Sequence, residues 1–186
     1  MIRLKASELR TTQDPDPEVI KKIHRNPIFI ICDNVLDTYN VGAIFRLADA
    51  VAAEKVFLCG ETEIPPNPKI KKASINTWKW VEWEYVSTTM DAISKLKNHP
   101  PAGGSNLKVI AVEQHKNSIP ISKLKVGFPV AVVIGNETYG VSKEVLNIAD
   151  IIVELPMFGV NTSLNVMVSC GIVLYKIIEQ LKRSSS

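Results

Sequence analysis

The segment IFIICDNVLDTYNVGAIFRLADAVAAEKVFLC, residues 28–59, contains the clearest indication of the fold. Its first run, IFIIC at 28–32, predicts a buried strand, and Lys55–Cys59 predicts the next one. Between them a helix is predicted over 41–53, where apolar residues recur at helical spacing: Ile44, Leu47, Ala48 and Val51. Two strands joined by a helix form a βαβ unit, which indicates a parallel sheet.

The same alternation continues along the chain. Further strands are predicted at 81–86, 107–113, 129–135 and 150–155, and further helices at 89–97, 142–149 and 163–182. The ETEIPPNP segment and the connection that contains Pro120 are expected to be turns or loops. The prediction is therefore an α/β domain over 27–186, a mostly parallel sheet flanked by helices, preceded by an N-terminal arm with one short helix over 1–26.

Composition excludes several classes of protein. The sequence has 186 residues, 46% of them hydrophobic and 22% charged, which is typical of a soluble globular protein. Cys32, Cys59 and Cys170 lie in apolar stretches without CxxC spacing, which favours buried reduced thiols and no metal site. The N-terminus lacks the apolar core of a signal peptide, and the apolar runs are too short to span a bilayer. We therefore expect a cytoplasmic protein.

The net charge of +3 does not by itself indicate a nucleic-acid-binding protein. Basic residues nevertheless cluster in three places: Lys21, Lys22 and Arg25; Lys69, Lys71 and Lys72; and Lys182 and Arg183. Such clusters are more often a solvated face, and phosphate contact is the alternative.

Polar residues interrupt the apolar pattern first in NVGAIFR, residues 40–46. Residue types alone favour a helix cap at Asn40 and a surface charge at Arg46. Gly42 leaves room for a close backbone approach. However, the residues around Arg46 are apolar, so its guanidinium must reach water or an anionic partner.

The second interruption, VIGNETYG, runs from a predicted strand into Gly135, Asn136, Glu137 and Gly140. Loops beyond the carboxyl ends of parallel strands form the ligand crevice of α/β folds, although an ordinary glycine-rich turn has equal weight here. A carboxylate at Glu137 can accept hydrogen bonds or orient a nucleophile.

The third interruption, LPMFGVNTSLN, lies between a strand that ends near Pro156 and a helix predicted to begin near Ser163. Exposed N–H groups at a helix start can bind a carboxylate or phosphate. We expect Ser163 to cap this helix and Asn165 to lie one turn inside it. The helix carries a broad apolar stripe for the sheet or a second subunit: Leu164, Met167, Val168, Gly171, Ile172, Leu174, Tyr175, Ile178 and Leu181.

Taken in order, NVGAIFR, VIGNETYGVSKEVL and LPMFGVNTSLNVMVSCGIVLYK resemble the three signature motifs of the SpoU/TrmH family of RNA ribose 2′-O-methyltransferases. The resemblance covers about residues 28–180 and implies a SPOUT-type domain with a deep C-terminal trefoil knot. It also implies S-adenosylmethionine as cofactor and RNA as partner, with tRNA favoured and rRNA possible, and a homodimer without metal.

The resemblance assigns roles to individual residues. The implied cofactor-binding residues are Ile134, Gly135, Asn136, Leu155, Met157, Ser163 and Leu164, and the implied catalytic residues are Asn40, Arg46, Glu137, Ser163 and Asn165. A guanidinium rarely gives up its proton, so our hypothesis is that Arg46 grips the phosphate beside the target ribose and stabilises oxyanion charge. In this hypothesis Asn40 and Glu137 hold the orientation of Arg46.

Two alternatives stay open. One is a catalytically silent RNA-binding or assembly factor with the same fold, against which the intact set of five implied catalytic residues argues. The other is a base nitrogen as methyl acceptor, against which the NxGxxxR and SLN patterns argue. The resemblance implies that three parts of the chain carry the electrostatic contact with RNA: residues 1–26, the lysines near 69–72 and the C-terminal basic pair.

Overall fold

The structure, a computed structural model, describes residues 15–98 and 106–183. The strands are β1 (Asn26–Asp33), β2 (Ala53–Cys59), β3 (Trp83–Val86), β4 (Lys108–Val112), β5 (Ile119–Pro120), β6 (Val130–Ile134) and β7 (Ile151–Glu154). The α-helices are α1 (Pro17–Lys21), α2 (Thr38–Ala50), α3 (Pro68–Ser74), α4 (Thr89–Asn98), α5 (Lys143–Ile148) and α6 (Val166–Arg183).

The strands form one sheet in the order β3-β2-β1-β6-β4-β7-β5, and each neighbouring pair is parallel. The carboxyl ends of β6, β4 and β7, which are neighbours in this order, therefore lie side by side at one edge of the sheet. The predicted parallel α/β architecture is confirmed. The trefoil knot stays a prediction.

Helices cover both faces of the sheet. Buried residues of α2, α3 and α6 pack in one apolar cluster with one set of strand side chains, and those of α4 and α5 pack in a second cluster with the alternate set. In β1, for example, Ile30 belongs to the first cluster and Ile31 to the second. Burial on both faces explains why the strands read as continuous apolar runs.

Three predictions of local structure were wrong: the start of α2 and two connections that contain a helix and a short strand. Helix α2 begins at Thr38, not Val41, because the Asp37 carboxylate accepts a hydrogen bond from Tyr39 N and caps the helix. The ETEIPPNP segment leads into α3, which the turn assignment missed although Asn67 caps it and a proline stands at its start. The connection through Pro120 contains the short strand β5.

Gly42 confirms the expected close approach, and its neighbour is α3. A Cβ at this position would lie 2.6 Å from the Ala73 Cβ and 2.9 Å from the Ile70 carbonyl oxygen. Glycine therefore lets α2 and α3 pack with their backbones close together, and α2 carries Arg46 one turn further on.

The predicted stripe on α6 divides into two faces. Leu174, together with Cys170, Val173 and Ile177, is buried against the sheet and α2. Val168, Ile172 and Tyr175 are exposed.

The three cysteines are free and buried, as predicted. Burial raises the pKa of Cys59 and of Cys170 to about 12, which makes both thiols poor nucleophiles. Among the described helices, none is both long and apolar enough to cross a bilayer.

Candidate active site

A cavity of about 380 Å³ lies beyond the carboxyl ends of β6, β4 and β7. The seven residues predicted to hold a cofactor all line it: Ile134, Gly135, Asn136, Leu155, Met157, Ser163 and Leu164. The structure therefore brings together two segments that lie about twenty residues apart in the sequence.

A hairpin at Asn136–Gly140 forms one wall of the cavity. The N–H and C=O groups of Asn136 and Gly140 exchange two hydrogen bonds of 3.0 and 2.9 Å. The Asn136 side-chain oxygen accepts from the N–H groups of Thr138 and Tyr139 at 2.8 and 3.0 Å. Its Nδ2 donates to the Asn34 carbonyl at 2.9 Å, which ties the hairpin to the loop after β1.

The two glycines of this hairpin have no room for a side chain. A Cβ at Gly135 would lie 2.1 Å from the Gly140 carbonyl carbon and 2.2 Å from Val141 N, both backbone atoms. Gly140 has a φ of +71°, and its Cβ would lie 2.1 Å from Glu113 Oε2. Close packing against backbone therefore requires the glycine at 135, and the left-handed backbone conformation favours the glycine at 140.

Glu137 joins the hairpin to the start of α2. Its carboxylate accepts hydrogen bonds from Leu36 N and Asp37 N at 3.0 Å each and from Asn40 Nδ2 at 2.9 Å. Partial burial raises the pKa of Glu137, but the hydrogen bonds from Asn40, Leu36 and Asp37 outweigh it, so the pKa lies below its usual value. The carboxylate is therefore held ionised and in a fixed orientation at neutral pH.

Asn40 continues this connection to the last helix. It is 5% exposed, donates to Glu137 through Nδ2 and accepts a hydrogen bond of 2.9 Å from Asn165 Nδ2 at Oδ1. Asn165, Asn40 and Glu137 thus form a continuous hydrogen-bonded chain, which we call the amide relay. It links three of the five residues implied as catalytic across three separate parts of the sequence.

The expected cap of the last helix was wrong. Helix α6 begins at Val166, and its capping residue is Asn165, whose Oδ1 accepts from Met167 N at 2.9 Å and Val168 N at 3.3 Å. Asn165 therefore lies at the cap position and not one turn inside, and its other amide atom is left to donate to Asn40. Ser163 lies before the helix and lines the cavity.

The segment before α6 forms the opposite wall and is held by fewer contacts. Residues 158–165 are exposed along their whole length. Gln114 Nε2 donates to the Thr162 carbonyl, and Ser163 N donates to Asn161 Oδ1 at 3.2 Å.

Arg46 is not part of the amide relay. Its side chain is exposed, and among the described residues it has no hydrogen bond or ion pair. The hypothesis that Asn40 and Glu137 hold the orientation of Arg46 is therefore corrected, because Asn40 bonds to Glu137 and Asn165, and Glu137 bonds to Asn40 and to the N–H groups of Leu36 and Asp37. Arg46 follows Gly42 by one helical turn, which places it on the α3 side of α2.

The sequence reasoning missed two carboxylates that line the cavity, Glu113 and Glu154. Glu113 accepts from Val141 N at 2.9 Å, and Glu154 accepts from Ser118 Oγ at 2.7 Å. Both stand at the carboxyl ends of strands, β4 and β7, which was the signal that could have found them. With Glu137 they give the cavity three carboxylates, and Lys, Arg and His are absent from its described lining.

This chain is similar in sequence and in fold to known RNA-modifying enzymes. A tRNA (guanosine(18)-2′-O)-methyltransferase of Aquifex aeolicus is 32% identical over 165 residues, which is 86% of this chain and 72% of that protein. The crystal structure of the A. aeolicus TrmH/SpoU tRNA modifying enzyme superposes with a TM-score of 0.76 at 28% identity, covering 97% of this chain and 84% of that one.

An AdoMet-bound rRNA methyltransferase from Sinorhizobium meliloti superposes with a TM-score of 0.71 at 25% identity. The match covers 87% of this chain and 60% of that structure's own length. The model of the SpoU rRNA Methylase family matches residues 27–175, which include the β1–α2 unit, both cavity walls and the amide relay. This chain therefore belongs to the SpoU rRNA methylase family.

Proposed function

We propose that this chain transfers the methyl group of S-adenosylmethionine to a ribose 2′-hydroxyl of RNA, with tRNA as the substrate. The observation that carries the proposal is the amide relay, because it joins the cavity walls to the helix that bears Arg46. A cofactor in the cavity and an RNA held at Arg46 would meet at this relay. Asn40, Arg46, Glu137, Ser163 and Asn165 are the proposed catalytic residues.

The lining of the cavity suits S-adenosylmethionine in its apolar surface and its charge. Leu155, Met157 and Leu164 offer apolar surface to an adenine ring, and the hairpin after β6 offers backbone groups. Three carboxylates favour the positive charge of a sulfonium group. When bound, the cofactor supplies a methyl group on sulfur with a neutral thioether as leaving group. Ile134, Gly135, Asn136 and Ser163 would hold it with the three apolar residues.

The residues of this chain orient the acceptor. The ribose 2′-oxygen gains a bond to the methyl carbon as the carbon–sulfur bond breaks, and its proton leaves to water. The amide relay fixes polar groups beside the cavity, which supports catalysis by positioning. Arg46 stays charged because a guanidinium has a pKa above about 12, so it binds the neighbouring phosphate and stabilises negative charge on the oxygen.

A basic surface on α3 supports RNA contact near Arg46. Lys69, Lys71 and Lys72 are exposed, and none of them forms an ion pair with a described residue. Helix α3 packs against α2 at Gly42, so these lysines and Arg46 lie on neighbouring helices. Cations without acidic partners are available to bind phosphates. The side chains of Lys182 and Arg183 and residues 1–14 lie outside the described part.

The proposed assembly is a homodimer that binds RNA across both subunits. Leu164, Val168, Ile172 and Tyr175 form an exposed apolar face at and beyond the start of α6. Burial of such a face against a second copy removes apolar surface from water. Light scattering at micromolar concentration should give the mass of two chains, and a monomer would contradict the proposal.

Nucleoside mass spectrometry tests the reaction directly. The chain is incubated with labelled S-adenosylmethionine in two separate reactions, one with unmodified tRNA and one with unmodified rRNA. The RNA is then digested, and its nucleosides are analysed. We expect a 2′-O-methylnucleoside from tRNA and none above background from the Arg46→Ala variant. Labelling of rRNA instead of tRNA would identify rRNA as the substrate. A label on a base nitrogen would identify the base as the methyl acceptor. RNA binding without labelling would indicate a catalytically silent RNA-binding factor.

The role of Arg46 is tested by Arg46→Lys. Lysine keeps the charge but lacks the planar fork that binds phosphate oxygens at two points, so we expect the single-turnover rate to fall by about 100-fold. Because Arg46 lies outside the cavity lining, calorimetry should give an unchanged affinity for S-adenosylmethionine. A rate near that of the wild type would contradict this role.

A further inference from the structure

Three large exposed side chains belong to residues that bond to Glu137 through the backbone or that stand near Glu137 or Asn40 in the sequence. Leu36 is 49% exposed, Tyr39 48% and Tyr139 87%. Leu36 N bonds directly to this carboxylate, Tyr39 precedes Asn40, which also bonds to it, and Tyr139 follows it by two residues. Tyr139 therefore carries an exposed aromatic ring on the same hairpin as Glu137 of the amide relay.

Tyr139 stands on a backbone that is already fixed. The N–H of Tyr139 bonds to Asn136 Oδ1, and Asn136 and Gly140 close the hairpin by exchanging two hydrogen bonds. Glu137, Thr138 and Gly140 line the cavity, whereas Tyr139 is not among its lining residues. Its ring is thus presented next to the cofactor cavity but outside it, on a loop that needs little ordering to bind a partner.

The chemistry of this surface fits a nucleotide. A ribose whose 2′-hydroxyl reaches the amide relay carries its base within a few ångströms of the same place. A nucleotide combines a polar sugar with a flat apolar ring, and the surface combines the polar relay with the exposed aromatic ring of Tyr139. Bases unstacked from RNA are commonly stacked on tyrosine and other aromatic side chains.

We propose that Tyr139 is the stacking platform for the base of the nucleotide that is methylated. This inference rests on the proposed function, because it needs a ribose at the amide relay. Stacking uses the face of the ring and not the hydroxyl, so it tolerates different bases and does not require the phenol oxygen. It holds the substrate equally before and during methyl transfer.

The test compares Tyr139→Ala with Tyr139→Phe in steady-state methylation of a pool of unmodified tRNA transcripts. We expect Tyr139→Ala to raise KM for RNA by about tenfold with little change in kcat, because uniform binding is lost. Tyr139→Phe should stay near the wild type. Tyr85→Ala is the control for loss of an exposed tyrosine elsewhere, since Tyr85 is 48% exposed and lies on β3 at the far edge of the sheet.

Two further measurements separate base stacking from a role of Tyr139 in cofactor binding or in a contact between copies. The affinity of Tyr139→Ala for S-adenosylmethionine and its mass by light scattering should equal those of the wild type. A wild-type KM in Tyr139→Ala, an equal loss in Tyr139→Phe, or a halved mass would overturn the inference, the last in favour of a contact between copies. If the wild-type chain labels no RNA, the proposed function itself fails, whereas a wild-type KM in Tyr139→Ala, beside a wild-type chain that labels RNA, removes this inference alone.

Discussion

The hairpin after β6 and the segment after β7 both line the candidate cofactor cavity, but they are held differently. The hairpin closes on itself through Asn136 and Gly140 and is tied to the loop after β1. The second segment, 155–165, is largely exposed, and side-chain hydrogen bonds of Gln114 and Asn165 tie it to other elements. We infer that the first wall is preformed, whereas the second is completed when a cofactor binds.

The strongest contrast between the walls is expected at one glycine in each, Gly135 in the first wall and Gly159 in the second. Gly135→Ala places a Cβ against the backbone of Gly140 and Val141, so we expect the free energy of unfolding to fall by about 1–3 kcal/mol and cofactor affinity to fall with it. Gly159→Ala in the second wall meets no atom within 4 Å, so stability should change by less than about 0.5 kcal/mol. Denaturant unfolding measures the free energy of unfolding of both variants. Similar losses of stability in the two variants would mean that the walls are equally packed.

Asn165 anchors the second wall through two separate roles. Asn165→Ala removes the helix cap and the hydrogen bond to Asn40, so we expect a loss of about 0.5–2 kcal/mol in stability and up to about 100-fold in methyl-transfer rate. Asn165→Asp keeps the cap acceptor but loses the donor to Asn40. It should retain stability and still lose rate, and full activity in this variant would show that only the cap matters.

Gln114 also ties the second wall through its side chain. Gln114→Ala removes its hydrogen bond to the Thr162 carbonyl, which at an exposed position contributes at most about 1 kcal/mol. We expect a few-fold weaker affinity for S-adenosylmethionine and faster amide exchange around Thr162. Unchanged exchange there would show that this contact does not order the segment.

The smallest expected effect is a pH dependence at Glu137, which ties the first wall to α2. Its folded pKa lies below the unfolded value of about 4.3, so its ionised form stabilises the fold above that pH. This contribution disappears as pH falls through the lowered folded pKa. The stability difference between the wild type and Glu137→Gln should therefore shrink as pH falls below about 5, and a constant difference would contradict the assignment.

Local sequence signals predicted the first wall better than the second. Apolar runs and the glycines of GNETYG indicated the sheet and the turn after β6, because burial and close packing restrict residue types at those positions. The family resemblance supplied the seven predicted cofactor-binding residues, all of which line the cavity. Ser163 and Asn165 are both good caps by type, so the sequence favoured the wrong one. The missing contact between Arg46 and the relay depends on helix orientation and packing at Gly42, which residue spacing alone did not reveal.

Hydrogen exchange with and without S-adenosylmethionine tests the central contrast most directly. We expect amides of Thr138 and Gly140 to be protected in the chain alone, with little change on binding. Amides across 157–165 should exchange fast alone and become protected when the cofactor is added. Fast exchange of both walls in the free chain, or no added protection across 157–165, would contradict a preformed wall that a second wall completes.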